Sequence, residues 1–348
     1  MSVRHVSFAA LLALLAACAA PLAPVASAPT APSYAKIDPG YTAYVDGSAI
    51  DAVTLPVGGA YLGGGGTDID AGMVWLMAQG GTRAPGKYGD VVVLRTTGTG
   101  AYNRYLINLG ANSVTTIVIT SIIGANSVYV QDAISKAEAI FIAGGDQSTY
   151  VKLWTGTSLV AAVNSRVAAG YPIGGTSAGL AVLGSYVYSA LNVSSVSSAV
   201  MANPYDPSVT LQTALFNVPV LNNVLTDSHF KTRDRMGRLL TFMARLQQDG
   251  LALSPLAVGV DEQSGVGVSL NKSAVVFGPG AGAYFLNVTN TTMRTCVTAT
   301  PLTYTNLATQ RVSTGQPFNL GTWSGSSTNY TLSVNVGVLS SSTTAFIY

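Results

Sequence analysis

The segment Gly175-Thr176-Ser177-Ala178-Gly179 has the residue types and spacing of a nucleophile elbow. A serine presented on a tight strand-to-helix turn needs neighbours without bulk two positions to either side, and glycine meets that need. The flanks agree: Pro172-Ile173-Gly174 is apolar and extended, and Leu180-Ala181-Val182-Leu183 opens a helical pattern. A helix N-terminus there directs free backbone N–H groups at developing negative charge. A serine of this kind needs a proton acceptor. The chain holds two histidines, and His5 lies in the leader, so the base is His229. The acids between serine and histidine are Asp206 and Asp227, with no Glu. Asp227 lies two residues before His229 and shares its strand face, so it is a candidate third member, although a short side chain must bend back about 6.6 Å along the strand to reach the ring. One histidine and one cysteine beyond the leader cannot supply the usual ligands of a metal site, and no cofactor is expected.

These residues need elements to hold them. Asp90–Arg95, 114–120, 139–143 and 172–174 are near-continuous apolar runs separated by helical stretches at 68–79 and 126–137. Strands buried on both faces read this way in a parallel, doubly wound α/β sheet, and sites in such sheets gather at the carboxyl ends of the strands. His229, after Leu225-Thr226-Asp227-Ser228, belongs at such an end. The basic run Lys231 to Arg238 then opens a helix. From about Gly265 the helical period fades into short runs broken by Gly, Ser, Thr and Asn, which predicts a β-rich extension. The parts are therefore a leader at 1–18, a linker and N-terminal segment at 19–50, an α/β catalytic domain at 51–270 and the extension at 271–348.

Composition narrows the partners. Of 348 residues 48% are hydrophobic, 9% charged, and the formal net charge is +2. So small a charge excludes nucleic acid as the main partner. Arg4 and the apolar run Val6 to Ala17 form an export signal too short to span a bilayer. Leu15-Ala16-Ala17-Cys18 is similar to a bacterial lipobox, which predicts acylation of Cys18 and attachment to the cell-envelope membrane. The alternative is cleavage after Ala26-Ser27-Ala28 and free secretion. Either way Cys296 has no disulfide partner and is expected as a buried small hydrophobe.

Four blocks in order resemble the cyanophycinase-like serine peptidases of family S51, the class that includes aspartyl dipeptidases. They are Gly144-Gly145-Asp146-Gln147, Gly174 to Gly179, Asp227-x-His229-Phe230 with Arg233, Arg235 and Arg238, and Gly259-Val260-Asp261-Glu262. Arg95 to Tyr105 is similar to the family's Asn-Tyr loop region. The resemblance spans about residues 58–265. It implies a flavodoxin-like, mainly parallel core related to class I glutamine amidotransferases. It also implies an exported peptidase that cuts cyanophycin or related β-aspartyl peptides into β-Asp-Arg dipeptides, with a homodimer as one possible assembly. Ser177 would attack, His229 would take the proton, and the N–H groups of Gly145 and Ala178 would hold the oxyanion. Gln147, Asp227, Arg233, Arg235 and Arg238 would hold the substrate, guanidinium forks matching its carboxylates. The family's triad Glu is expected between serine and histidine, near Ser197-Ser198-Ala199, where this chain has alanine. Asp261-Glu262 reads as a structural cap or an acid pair. The missing acid predicts a slow enzyme, with His229 oriented by a carbonyl or water, or a relative that binds polymer or peptide at the cell surface without cutting it. An α/β-hydrolase esterase fits less well, because no His-Gly-Gly loop precedes the elbow and no late histidine follows it.

Overall fold

The computed structural model describes residues 34–343 and 346–348. The expected export signal with Cys18, and residues 19–33, lie outside the described residues. Among those described, no helix is long and apolar enough to cross a membrane.

Five parallel strands form the centre of an eleven-stranded sheet, in the spatial order Ser113–Ile119, Asp90–Arg95, Ala139–Ile142, Ile173–Thr176 and Ala60–Gly63. Their apolar runs follow from burial on both faces. Val91 and Val93 point into a cluster with Met73, Leu76, Met77 and Leu106, while Val92 and Leu94 point into one with Val130, Ile134, Leu159 and Val163. Alternate residues of one strand thus meet helices on opposite faces. Asp70–Gln79 and Ala101–Asn108 cover the first face, and Val128–Lys136 and Ser158–Ala168 the second. This is the expected α/β core. Two strands at Tyr34–Asp38 and Tyr41–Gly47 add an antiparallel edge beside Ser113–Ile119, in a segment read from sequence only as linker and N-terminal segment.

A second, nine-stranded sheet carries Tyr186–Tyr188, Val224–Asp227 and Leu256–Val260 in parallel. Helix Met236–Gln248 packs its buried side, including Leu239, Leu240, Phe242, Met243 and Leu246, into the cluster beneath this sheet. The β-rich tail is divided between the two sheets. Gly265–Val268, Ser273–Phe277, Pro317–Asn319 and Ser324–Gly325 extend the first, and Ala283–Asn287, Thr303–Val312, Thr328–Asn335 and Val338–Ser341 extend the second. The chain crosses between sheets from Leu256–Val260 to Gly265–Val268, through Asp261, Glu262, Gln263 and Ser264. That crossing brings the carboxyl ends of strands from both sheets together.

Candidate active site

Ser177 stands between strand Ile173–Thr176 and the short helix Ala178–Ala181, with φ 55° and ψ −117°. A non-glycine residue holds such a conformation only where its surroundings over-determine it, and such strain concentrates at functional sites. Here the determinants are visible. A Cβ at Gly175 would stand 2.5 Å from the Gly179 backbone, and one at Gly179 would collide with the Ile142 carbonyl. The Ser177 N–H donates to the Gly63 carbonyl at 3.0 Å.

His229 follows strand Val224–Asp227 and also has a positive φ, 46°. Its N–H donates to the Gly64 carbonyl at 2.7 Å, and the Gln263 N–H donates to the Gly65 carbonyl at 2.9 Å. Successive residues of the glycine-rich loop after Ala60–Gly63 therefore tie down the serine, the histidine and the inter-sheet crossing. A side chain at Gly65 would overlap the imidazole, its Cβ reaching within 2.6 Å of Nε2.

The Ser177 Oγ lies 2.6 Å from His229 Nε2, and His229 Nδ1 lies 2.5 Å from Glu262 Oε1. An ionised carboxylate only accepts, so Nδ1 carries the proton and Nε2 is free to accept from the serine hydroxyl. Burial lowers the His229 pKa from the ordinary histidine value; the Glu262 hydrogen bond opposes that, and Arg233 and Arg235 add to it. The ring is therefore held neutral, as a proton acceptor requires.

Three expectations are corrected here. First, the acid on His229 is Glu262, not Asp227, a water or a carbonyl. Asp227 is 2% exposed and faces Arg238, whose Nε and Nη2 donate to its two oxygens at 2.8 and 2.5 Å. Second, Asp227 and Arg238 are not open to substrate. Arg238, also 2% exposed, spends its remaining fork on the Ser195 carbonyl at 3.3 Å. Their pairing is the bidentate match that a desolvated guanidinium demands. Third, Ala199 is exposed on the helix Ser197–Ala202, so a Glu placed there would face solvent. The helix after His229 also begins only at Met236; Lys231 to Asp234 form turns.

The other expected residues divide by environment. Arg235 is largely buried, its Nη1 donating to the Ser228 carbonyl at 2.9 Å. Arg233 is 53% exposed, with Nε 3.7 Å from Glu262 Oε1. Gln147 opens helix Gln147–Trp154 beyond the Gly144-Gly145 turn, half-exposed. Gly144 borders the elbow, and a Cβ there would stand 3.4 Å from that of Ser177. Among the described residues, neither the Gly145 nor the Ala178 N–H has a backbone or side-chain acceptor, so both donors are free. Asp261, the neighbour of Glu262, accepts from the Thr232 N–H at 2.8 Å and so fastens the histidine turn. Cys296 is buried, and burial pushes its thiol up to about 11.

Known proteins resemble this chain in sequence and in fold. Residues 101–254 match the sequence pattern of peptidase family S51. A cyanophycinase of Geminocystis herdmanii is 28% identical over 157 residues, which is 45% of this chain and 52% of the relative. The match to that relative thus spans about half its length. A cyanophycinase of Trichormus variabilis is 27% identical over 224 residues, 64% of this chain and 70% of the relative. The crystal structure of a peptidase from an acI-B1 Actinobacterium shares the fold, with a TM-score of 0.50 at 14% identity, covering 76% of this chain and 97% of that one. The fold is α/β, and residues 101–254 are similar to peptidase family S51. Its sequence is similar to those cyanophycinases.

Proposed function

We propose that the protein is an exported serine-type peptidase acting on cyanophycin or related β-aspartyl peptides. The observation that carries the reading is the continuous relay Ser177–His229–Glu262, with contacts of 2.6 and 2.5 Å. In the proposed mechanism Ser177 Oγ bonds to the substrate carbonyl carbon as its proton passes to His229 Nε2. Glu262 holds the ring's tautomer and stabilises the imidazolium. The free N–H groups of Gly145 and Ala178 hold the oxyanion. Collapse breaks the C–N bond, and the leaving amine takes the proton from Nε2. Water, deprotonated by His229, then hydrolyses the acyl-serine ester. Gln147, Arg233 and the partly covered Arg235 provide polar and cationic contacts for substrate carboxylates.

The competing reading, a surface protein that binds without cutting, draws on the polar β-rich tail and on a missing acid. Glu262 removes the second motive. Acylation of Cys18 is proposed to tether the mature chain to the envelope. Failure of Cys18→Ser protein to incorporate labelled palmitate supports the tether; a native N-terminus near Pro29 speaks for free secretion instead. The activity is tested by incubating purified protein with cyanophycin and following β-Asp-Arg release by mass spectrometry. Release abolished in Ser177→Ala supports the reading. Intact polymer, alongside undiminished binding to it, favours the binding protein.

A further inference from the structure

The relay occupies one flank of Ser177. In the first sheet the elbow strand Ile173–Thr176 has Ala60–Gly63 on one side and Ala139–Ile142, then Asp90–Arg95, on the other. His229 and Glu262 are fastened to the loop after Ala60–Gly63. The opposite flank, over the carboxyl ends of Ala139–Ile142 and Asp90–Arg95, contains an arginine that the relay does not use.

Arg95 ends its strand two strands from the elbow, about 10 Å at ordinary strand spacing. The Leu94 carbonyl accepts from the Ala143 N–H, which fixes this end beside the Gly144-Gly145 turn. The guanidinium carbon lies 5.9 Å from the Tyr102 ring centroid. Its charge bears on the Tyr150 hydroxyl, which lies under Gly145. Among the described residues it has no carboxylate partner, unlike Arg233, Arg235 and Arg238. Its one hydrogen bond runs from Nη1 to the Thr99 carbonyl at 3.2 Å, and its buried Nε has no acceptor. The next side chain, Thr96, is 5% exposed with an unpartnered hydroxyl. The nearby acid Asp68 is committed elsewhere: it accepts from the Tyr102 hydroxyl at 2.6 Å and from Thr176. Buried donors without acceptors are costly and rare in folded proteins. The terminal nitrogens of Arg95 lie at the exposed end of the side chain, and a guanidinium without a counter-charge accepts a carboxylate in preference to a neutral group.

We propose that Arg95 forms a second carboxylate-binding subsite on the flank of Ser177 opposite Glu262. Its ligand is a carboxylate carried by the peptide substrate, of the kind that a side-chain arginine linked through its α-amino group leaves free. The choice of ligand rests on the peptidase reading above; the anion preference does not.

The test separates the two. Calorimetry on Ser177→Ala protein measures the affinity for β-aspartyl-arginine and for the same dipeptide with its arginine carboxylate amidated. Amidation should weaken binding by about 10-fold or more, as expected when a charge-assisted pair is lost. That penalty should disappear in the Ser177→Ala, Arg95→Met protein and persist in the Ser177→Ala, Arg95→Lys protein, which keeps the charge. An equal penalty with and without Arg95, or no binding of the free acid by Ser177→Ala, overturns the subsite. If wild-type protein leaves cyanophycin uncut while the Arg95-dependent preference is present, the peptidase reading fails and the subsite stands.

Discussion

Glu262 accepts a hydrogen bond from His229 Nδ1 at 2.5 Å across 33 residues of sequence. Two neighbouring parallel strands make this contact possible. Val224–Asp227 and Leu256–Val260 pair in register, Asp227 opposite Gly259, so the residues just past their carboxyl ends emerge side by side. The chain then turns at once into the other sheet, the one that presents Ser177. The relay is thus assembled where two sheets exchange a strand.

That assignment separates two acids by their effects. Glu262→Gln should leave the fold intact and lower kcat on the order of 10⁴-fold, the loss seen when a triad's orienting carboxylate is removed. Asp227→Asn should instead act on stability, by about 3–5 kcal/mol, because it leaves Arg238 buried without its counter-charge. Thermal melts and kcat measured side by side check this. The reverse pattern would return Asp227 to the relay.

The histidine titration has a defined sign. Burial lowers the His229 pKa below the ordinary value of 6.5. Activity, which needs the neutral ring, should therefore persist below pH 6.5 and decline only on the acid side of it. In stability terms, a depressed histidine binds its proton more weakly in the folded state. Its contribution is complete above pH 6.5 and is lost as pH falls from there through the folded pKa. A pH–rate profile of kcat/KM, together with melts of wild type and His229→Gln, reads both effects.

Gly65 is the point where backbone and imidazole meet. Its φ is +103° and a Cβ there enters the His229 ring. Gly65→Ala should displace the ring, adding backbone strain of roughly 1–3 kcal/mol, and should reduce kcat far more than KM. Retained kcat would mean that the ring tolerates the displacement.

Arg233, half exposed beside Glu262, is placed to meet substrate rather than to hold the fold. Arg233→Met should raise KM for cyanophycin roughly 10-fold with little change in melting temperature, as for a partly solvated charge contact. A fall in melting temperature with KM unchanged would assign it to the fold.

Much of the scaffold was legible because its signals are local. Runs such as Asp90–Arg95 and Ala139–Ile142 are apolar on both faces, and the elbow's glycines stand where a Cβ meets backbone. Ser177 and His229 followed from motif and from histidine count, and the structure brings them together. Sequence alone leaves Glu262 as a structural cap or half of an acid pair, because linear spacing does not reveal which strand ends are neighbours. Its signal was an acid directly past the apolar strand Leu256–Val260. Asp227 and Arg238 look like pocket residues in sequence because a buried ion pair and a binding pair have the same residue types; only burial separates them. The glycines from Gly63 to Gly66 were visible, but their role as the anchor of serine, histidine and crossing depends on backbone hydrogen bonds that carry no residue signature.

The central claim is that Ser177, His229 and Glu262 act as one catalytic unit. Covalent labelling with a fluorophosphonate, with the modified residue located by peptide mass spectrometry, tests it most directly. The account predicts a single adduct on Ser177, absent in Ser177→Ala and His229→Ala and formed much more slowly in Glu262→Gln. An adduct on another serine, or labelling of Ser177 at the same rate without Glu262, would contradict it.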